Sequence, residues 1–410
     1  MSSHAFMTGR GTGRRQSHIP PVAPAHQASG VNFPTQSAHF VPQHFPFQPL
    51  PAPNGPAPFR YDLSRLLSAD DLKKITDSGV LVFHTVGDTG DYRGQQQDFV
   101  ARMMTTDAET LAEDNKPAFL YHLGDVVYFA GDVDMYGDNF YETYKDYPAF
   151  IVAIPGNHDC QPDDPQDGPI DPRKVPLDGW VQNFMSTDSS RLGSLKSGSG
   201  RTQMDLPNPY WTFTTPLATI IGLFSNVGET QAEIHKDQID WFRGELAAAA
   251  PALPLIVTIH HPPYSGDTDH SGSGEAHKVL FDSFTATGRY PNLILSGHVH
   301  NYQRFTVIAK NAKGPLQIPC VVAGSGGYTR LGKLHKIKGE PPEVPLRLGA
   351  DLTLEQYDDE NFGFLRLEVS KGKIAGTYLS APYSGGTDAP AGNVVERFEI
   401  DIAHHAVKTL

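Results

Sequence analysis

The chain reads as an α/β protein whose strands are buried on both faces, and three observations predict this. Short unbroken apolar runs recur along it: Leu81-Val82-Phe83, Ala118-Phe119-Leu120-Tyr121, Phe150-Ile151-Val152-Ala153-Ile154, Leu255-Ile256-Val257-Thr258-Ile259 and Leu293-Ile294-Leu295. Runs without polar alternation mark strands covered on both sides. Between them lie segments with apolar residues on a helical period, and strand–helix alternation is the pattern of an α/β sheet. Each run also ends in a turn rich in metal-binding side chains, and ligands in such folds gather at the carboxyl ends of strands.

The elements follow in order. Residues 1–58 contain no Asp or Glu and are rich in Pro, His, Gln and Phe. They show no period, so they read as a disordered or wrapping arm, with Phe33, Phe40, Phe45 and Phe47 able to lie along a body. Residues 59–410 read as a single domain. Within it, residues 94–114 place Phe99, Val100, Met103, Met104 and Leu111 on a helical face, and residues 232–248 do the same with Ile234, Ile239, Trp241, Phe242 and Leu246. Residues 161–206 are rich in Asp, Pro, Ser and Gly and read as a long surface insertion. Residues 363–402 carry short alternating runs, which predict antiparallel strands of a second sheet. Gly324-Ser325-Gly326-Gly327 and Glu360-Asn361-Phe362-Gly363 read as turns of that sheet.

The bulk properties exclude some functions. With 410 residues, 39% hydrophobic and 19% charged, the chain fits a soluble globular protein. A net charge of −13 argues against a nucleic-acid surface, which is basic. It leaves a small phosphate ester open, because a metal centre reverses the local field. Two cysteines, Cys160 and Cys320, rule out a disulfide framework and read as free thiols. No apolar run approaches the roughly 20 residues that span a bilayer, so no membrane partner is expected. Arg14-Arg15 suggests a twin-arginine signal, but Gln16-Ser17-His18-Ile19-Pro20-Pro21 offers no apolar stretch after it. A cytoplasmic location is the expectation; oligomeric state is not legible.

The chemistry sits in five segments: Gly87-Asp88-Thr89-Gly90, Gly124-Asp125-Val126-Val127-Tyr128, Gly156-Asn157-His158-Asp159, His260-His261-Pro262 and Gly297-His298-Val299-His300. Among their side chains, two Asp, one Tyr, one Asn and three His are enough for two adjacent metal ions. Carboxylate, phenol and imidazole donors suit Fe, Mn or Zn, and a bridging carboxylate is the simplest way to hold two ions close. Two such ions can clamp a phosphoryl group and generate its nucleophile. A lone Gly-Asp or His-x-His is weak; five in series, each after a strand, are not.

The order and spacing of these segments resemble the calcineurin-like metallophosphoesterases and, within them, the purple acid phosphatases. Two details carry the narrower resemblance. Asp88-Thr89-Gly90 stands where most of the superfamily has Asp-x-His, and Tyr128 follows Asp125 by three residues in the pattern Gly-Asp-x-x-Tyr. The last segment, Gly297-His298-Val299-His300-Asn301-Tyr302-Gln303-Arg304, is close to Gly-His-Val-His-x-Tyr-x-Arg.

The resemblance implies a four-layer α/β/β/α sandwich, two mixed sheets flanked by helices. It implies one metal held by Asp88, Asp125, Tyr128 and His300, and a second held by Asp125, Asn157, His260 and His298, with Asp125 bridging. A phenolate ligand points to Fe(III) at the first position, with divalent Fe, Mn or Zn at the second. The implied reaction is phosphomonoester hydrolysis by metal-hydroxide attack, with His158 or His270 protonating the leaving oxygen and hence an acidic optimum.

Phosphodiesterase action on cyclic nucleotides or phospholipid-type diesters is the second reading, and a non-catalytic binding scaffold the third. His261 is expected to support the site, and His84, His122 and His277 to be structural. Cys160, Tyr264, Tyr302 and Arg304 are expected to shape the pocket. The N-terminal β-sandwich of plant relatives has no counterpart in residues 1–60.

Overall fold

The computed structural model describes residues 50–90, 95–161, 175–186, 201, 203–225, 234–312 and 314–410. Two mixed sheets form the body. The nine-stranded sheet runs β1 (Arg60–Asp62), β5 (Trp211–Thr214), β6 (Thr219–Leu223), β7 (Leu255–Ile259), β8 (Leu293–Ser296), β10 (Gly314–Ala323), β9 (Tyr302–Asn311), β12 (Leu352–Asp358) and β11 (Leu346–Arg347). The seven-stranded sheet runs β16 (Ala406–Thr409), β15 (Asn393–Asp401), β14 (Lys373–Ala381), β13 (Phe362–Val369), β2 (Leu81–Val86), β3 (Phe119–His122) and β4 (Phe150–Ala153). In each, a parallel core (β6, β7, β8 and β10; β2, β3 and β4) continues into antiparallel strands. The α/β class with two mixed sheets is the one expected.

The sheets face each other. Tyr302 on β9 stacks on Tyr378 of β14 at 3.8 Å, Thr258 on β7 donates to the Tyr121 hydroxyl of β3 at 2.9 Å, and the Trp211 indole donates to the Ala153 carbonyl at 3.1 Å. Strand β7 explains its own composition: Ile256 enters the core between the sheets, whereas Leu255, Val257 and Ile259 pack beneath helices. Both faces must therefore be apolar.

Helices α5 (Lys236–Ala248) and α6 (Gly274–Thr287) cover the outer face of the larger sheet through Phe242, Leu246, Leu280 and Phe284. Helix α2 (Gln96–Thr110) buries Phe99, Val100, Met103 and Met104 beside β13. Helix α1 (Ala69–Ser78) opens on Ser68, whose side chain accepts from the Asp71 amide, and stops at Gly79 in a left-handed conformation. Among the described residues, no helix is long and apolar enough to cross a membrane.

Two expectations need adjustment. The stretch read as a surface insertion contains α4 (Asp178–Phe184), and Trp180, Phe184, Met185, Met204 and Leu206 are buried. Its polar composition hid a short apolar period. Gly324–Gly327 is not a turn within the second sheet: it follows β10 of the larger sheet and touches the smaller one, where the Gly363 amide donates to the Ser325 carbonyl at 3.1 Å. Residues 358–361 likewise carry the chain from β12 across to β13. The arm's residues 1–49 lie outside the described residues; Asn54 and Gly55 donate to the Pro207 carbonyl, laying its end along the body.

Candidate metal centre

Every one of the five segments sits at the carboxyl end of a parallel strand. The turn after β2 carries Asp88, and the turn after β3 carries Asp125 and Tyr128. Beyond β4, α3 (Asn157–Cys160) presents Asn157 and His158. His260 follows β7, and His298 and His300 follow β8. The oxygen donors thus come from the smaller sheet and the imidazoles from the larger one.

Asp88, Asp125 and His298 have φ of 59°, 52° and 68°. Left-handed backbone in a non-glycine residue costs of order 1 kcal/mol or more and clusters at functional sites. These turns are fastened to one another: the His298 amide donates to Asp88 Oδ2 and the His158 amide to Asp125 Oδ1, both at 2.8 Å.

The seven side chains meet in two groups that share Asp125. In the first, the Tyr128 hydroxyl lies 2.8 Å from Asp125 Oδ2, 3.2 Å from Asp88 Oδ1 and 3.3 Å from His300 Nε2. In the second, Asn157 Oδ1 lies 3.1 Å from His260 Nε2 and 2.9 Å from His298 Nδ1, and His260 Nε2 is 3.3 Å from Asp125 Oδ2. Asp88, Asp125, Tyr128 and His260 are almost wholly removed from solvent.

Charge in so dry a place is strongly perturbed. Burial, only partly offset by His260, together with the neighbouring Asp125 charge, lifts the Asp88 carboxyl well above the usual range. Burial also opposes ionisation of Asp125. Even so, the His260 and His158 charges and hydrogen bonds from His260 and Tyr128 hold it far below that range. Burial works against charge on His260, yet Asp125 pushes that imidazole up to about 9. His298 and His300 go the other way: burial and the surrounding imidazoles keep both neutral.

These groups fit metal ions. Two carboxylates, a phenol, an amide oxygen and neutral imidazoles form a hard oxygen and nitrogen donor set. The negative charge that draws a proton onto His260 is the charge that would hold a cation. Asp125, His260 and His298 each place a donor atom within 4.8 Å of the others. Outer partners orient the donors. His260 Nδ1 faces the Leu123 carbonyl at 2.8 Å, which turns Nε2 inward. His122 meets the Thr89 hydroxyl at 2.9 Å and accepts from the Gly124 amide through Nδ1 at 3.2 Å; burial drives it down to about 3. Asp159 accepts from the Val126 amide at 3.0 Å and the Gly156 amide at 2.8 Å, tying two ligand turns together.

Gly90, the departure from the Asp-x-His pattern named above, explains itself: a Cβ there would stand 2.3 Å from the Val127 Cα. No side chain fits, and Tyr128 fills the space beside Asp88 instead.

Both histidines proposed to act on substrate lie at the cluster. His158 packs at a tilt against Tyr128, 4.3 Å between centroids, and its Nδ1 meets the Phe129 carbonyl at 2.8 Å. His270 stands 4.9 Å from His298 and 5.2 Å from His300, and its amide donates to Asp267 Oδ1 at 2.8 Å. His261 packs at a tilt against His298, 4.1 Å between centroids, and pairs through Nδ1 with Ser225 Oγ at 2.7 Å.

Three expected pocket residues are elsewhere. Tyr264 packs against His277, Phe281 and Phe305 in the outer core. Arg304 and Tyr302 point between the sheets, where Arg304 Nε lies 3.0 Å from both carboxylate oxygens of Glu396, and the Tyr302 hydroxyl donates to Glu396 at 2.6 Å. Both lie on β9, past the turn that carries His298 and His300, and are engaged there by Glu396 of β15. Cys160 packs against the core, Cys320 is buried on β10, and no disulfide joins them.

One site residue went unforeseen. Tyr328 stacks on Tyr128 at 3.9 Å, meets His300 at 4.8 Å, and donates its amide to the Asp88 carbonyl at 3.1 Å. Its signal was present: Cys320-Val321-Val322-Ala323 followed by a glycine turn has the same form as the five segments. At Gly324 a Cβ would come within 2.7 Å of Asp88 Oδ2.

Known proteins place this geometry. The calcineurin-like phosphoesterase family profile matches residues 81–302. Purple acid phosphatase 22 of Arabidopsis thaliana is 30% identical over 148 residues, 36% of this chain and 31% of that protein. A probable cyclic nucleotide phosphodiesterase of Rhodococcus erythropolis is 30% identical over 164 residues, 39% of this chain and 50% of that protein. The chain thus spans a third to a half of the length of these relatives.

In fold it is similar to the purple acid phosphatase PPD1 from yellow lupin seeds, with a TM-score of 0.53 at 17% identity over 78% of this chain and 54% of that one. It is similar also to PhoD, at 0.52 and 12% over 81% and 71%. The family match spans more than half of the chain and includes all seven donors, so the chain belongs to the calcineurin-like phosphoesterase family, with a purple acid phosphatase-like donor pattern.

Proposed function

We propose that this chain hydrolyses phosphomonoesters with an acidic optimum. Fe(III) would be held by Asp88, Asp125, Tyr128 and His300, and divalent Fe, Mn or Zn by Asp125, Asn157, His260 and His298. The observation that carries the reading is the Tyr128 hydroxyl, 3.3 Å or less from a donor atom of each of the other three members of the first group. A phenolate in that position favours a hard trivalent ion. Bound ions would supply Lewis acidity at the phosphoryl oxygens and a nucleophilic water.

The chain's own groups do the rest. Asp125 belongs to both donor groups and fixes their separation. The Phe129 carbonyl accepts a hydrogen bond from His158 Nδ1–H, which leaves Nε2 as the atom that exchanges a proton with the leaving oxygen. His270, beside His298 and His300, is the second proton donor candidate. An imidazole acid must be charged to act, which is why the optimum is placed on the acidic side.

A diesterase reading has one observation in its favour, the similarity to the Rhodococcus protein described as a probable cyclic nucleotide phosphodiesterase. A non-catalytic scaffold is disfavoured by the full complement of seven donors. Metal analysis joined to a panel of mono- and diesters across pH decides among the three. Asp125→Asn should lose metal and turnover together; a variant that keeps either one refutes the bridging role.

A further inference from the structure

At the pole opposite the metal centre, the seam between the two sheets opens into a cavity of about 640 Å³. The same strands connect the two places. His260 follows β7 and Leu253 precedes it; His298 follows β8 and Asn292 precedes it. A five-residue strand separates the poles by about 15 Å. The turns between β13 and β14 and between β15 and β16 close the far wall with Lys371, His404 and His405.

The polar groups in this cavity are one-sided. Asn292 Oδ1 accepts from the Leu255 amide at 2.9 Å, which fixes the orientation of the side-chain amide. Its Nδ2 therefore faces His405 Nε2, at 3.5 Å, as a donor, so Nε2 accepts. The proton of the neutral ring then sits on Nδ1. That nitrogen is buried and has no hydrogen-bond partner among the described residues. The same holds for Arg289 Nε, while the Arg289 NH2 group is engaged by the Ala250 carbonyl at 3.2 Å.

Two N–H donors thus lack an acceptor, and a buried donor without one costs roughly 1–3 kcal/mol. His405 also adopts a left-handed backbone, with φ of 45°. Arg289 and Lys371 add positive charge, and His404 is paired with Asp401 at 2.8 Å. No acidic side chain lines the cavity among the described residues, although the chain carries a net charge of −13.

We propose that this cavity is a second anion site, separate from the metal centre, that takes a phosphate group, free or on a small organic molecule. Arg289 Nε–H and His405 Nδ1–H, which have no solvent access in this structure, turn to its oxygens as donors, and Lys371 supplies charge at the rim.

Equilibrium dialysis of the metal-loaded protein against inorganic phosphate tests this through stoichiometry. The wild-type chain should bind one phosphate more than Arg289→Gln/His405→Phe, whether or not the metal centre also binds phosphate. Asp125→Asn should keep the phosphate that the double variant loses, which separates failure here from failure of the catalytic reading. Equal stoichiometry in the wild type and the double variant overturns the proposal. Should the double variant misfold by circular dichroism, Lys371→Gln on its exposed turn serves instead; it should weaken the Asp125→Asn phosphate affinity at least threefold, and an unchanged affinity overturns the proposal. Repeating the dialysis with a non-hydrolysable alkyl phosphonate separates free phosphate from phosphorylated metabolites: tighter binding assigns the site to the latter, weaker binding to the former.

Discussion

Glu396 is where the fold is most exposed to a single change. Its carboxylate and the Arg304 guanidinium are each 1% exposed and form an ion pair between β15 and β9, joining the two sheets. Tyr302 donates to the same carboxylate, Arg304 also donates to the Thr409 hydroxyl at 2.8 Å, and the guanidinium lies 5.0 Å over the Phe398 ring. Glu396→Gln keeps an acceptor for Tyr302 and the shape of the side chain, but leaves a guanidinium buried without its counter-charge. Removing one partner of such a pair costs about 3–5 kcal/mol.

With an unfolding entropy near 2.1 cal/mol/K per residue, the 320 described residues give roughly 0.7 kcal/mol/K, so the melting temperature should fall by about 4–7 °C. Scanning calorimetry measures it. Adding Arg304→Met removes the orphaned charge and should restore at least half of the loss. Metal content at 25 °C should be unchanged in all three proteins, because neither residue touches a donor. A single-variant shift under about 1 °C, or a double variant as unstable as the sum of its parts, would refute the reasoning.

Other consequences are as direct. Iron-loaded protein should show a visible phenolate charge-transfer band that Tyr128→Phe abolishes; a colourless iron-loaded wild type sinks the ligand assignment. His158→Ala and His270→Ala should each lower kcat, the proton donor by about 10²–10⁴-fold. The donor variant should recover with substrates whose leaving group needs no proton, and equal losses on good and poor leaving groups would remove both residues from that role.

His277 stacks on Phe281 at 4.6 Å, and burial lowers it to about 4, with a smaller opposing effect of Asp282. Its folded value lies below the ordinary 6.5, so folding favours the neutral ring. That stability is complete above about 6.5 and is lost as pH falls toward 4, by about 3 kcal/mol at most. His277→Phe should flatten the melting-temperature profile between pH 6.5 and 4, and an unchanged slope refutes this.

How much of this was written in the sequence follows from what each signal depends on. The strands leading into the site were legible because burial on both faces forces an apolar run, and the donors because Gly-Asp, Gly-Asn-His and Gly-His-Val-His are unusual enough to survive as local patterns. Helix α4 was not, since Trp180, Val181 and Phe184 lie in a stretch dominated by Asp, Pro and Ser. Tyr302 and Arg304 were misplaced because adjacency in a motif says nothing about which face of β9 a side chain takes, and their partner Glu396 lies more than 90 residues away. Tyr328 was missed because glycine-rich turns read as spacers unless the strand before them is counted.

The split origin of the donors has a consequence for assembly. Asp88, Asp125, Tyr128 and Asn157 ride on the seven-stranded sheet, and His260, His298 and His300 on the nine-stranded one. On the proposed assignment neither half alone would hold both ions, and loading would await docking of the halves. Bound ions would then tie the two layers together. Their free concentration then becomes a stabilising variable of the whole body, by about 1.4 kcal/mol per tenfold excess over the dissociation constant. A chelator would act here as a denaturant, with its effect concentrated at the interface between the two layers.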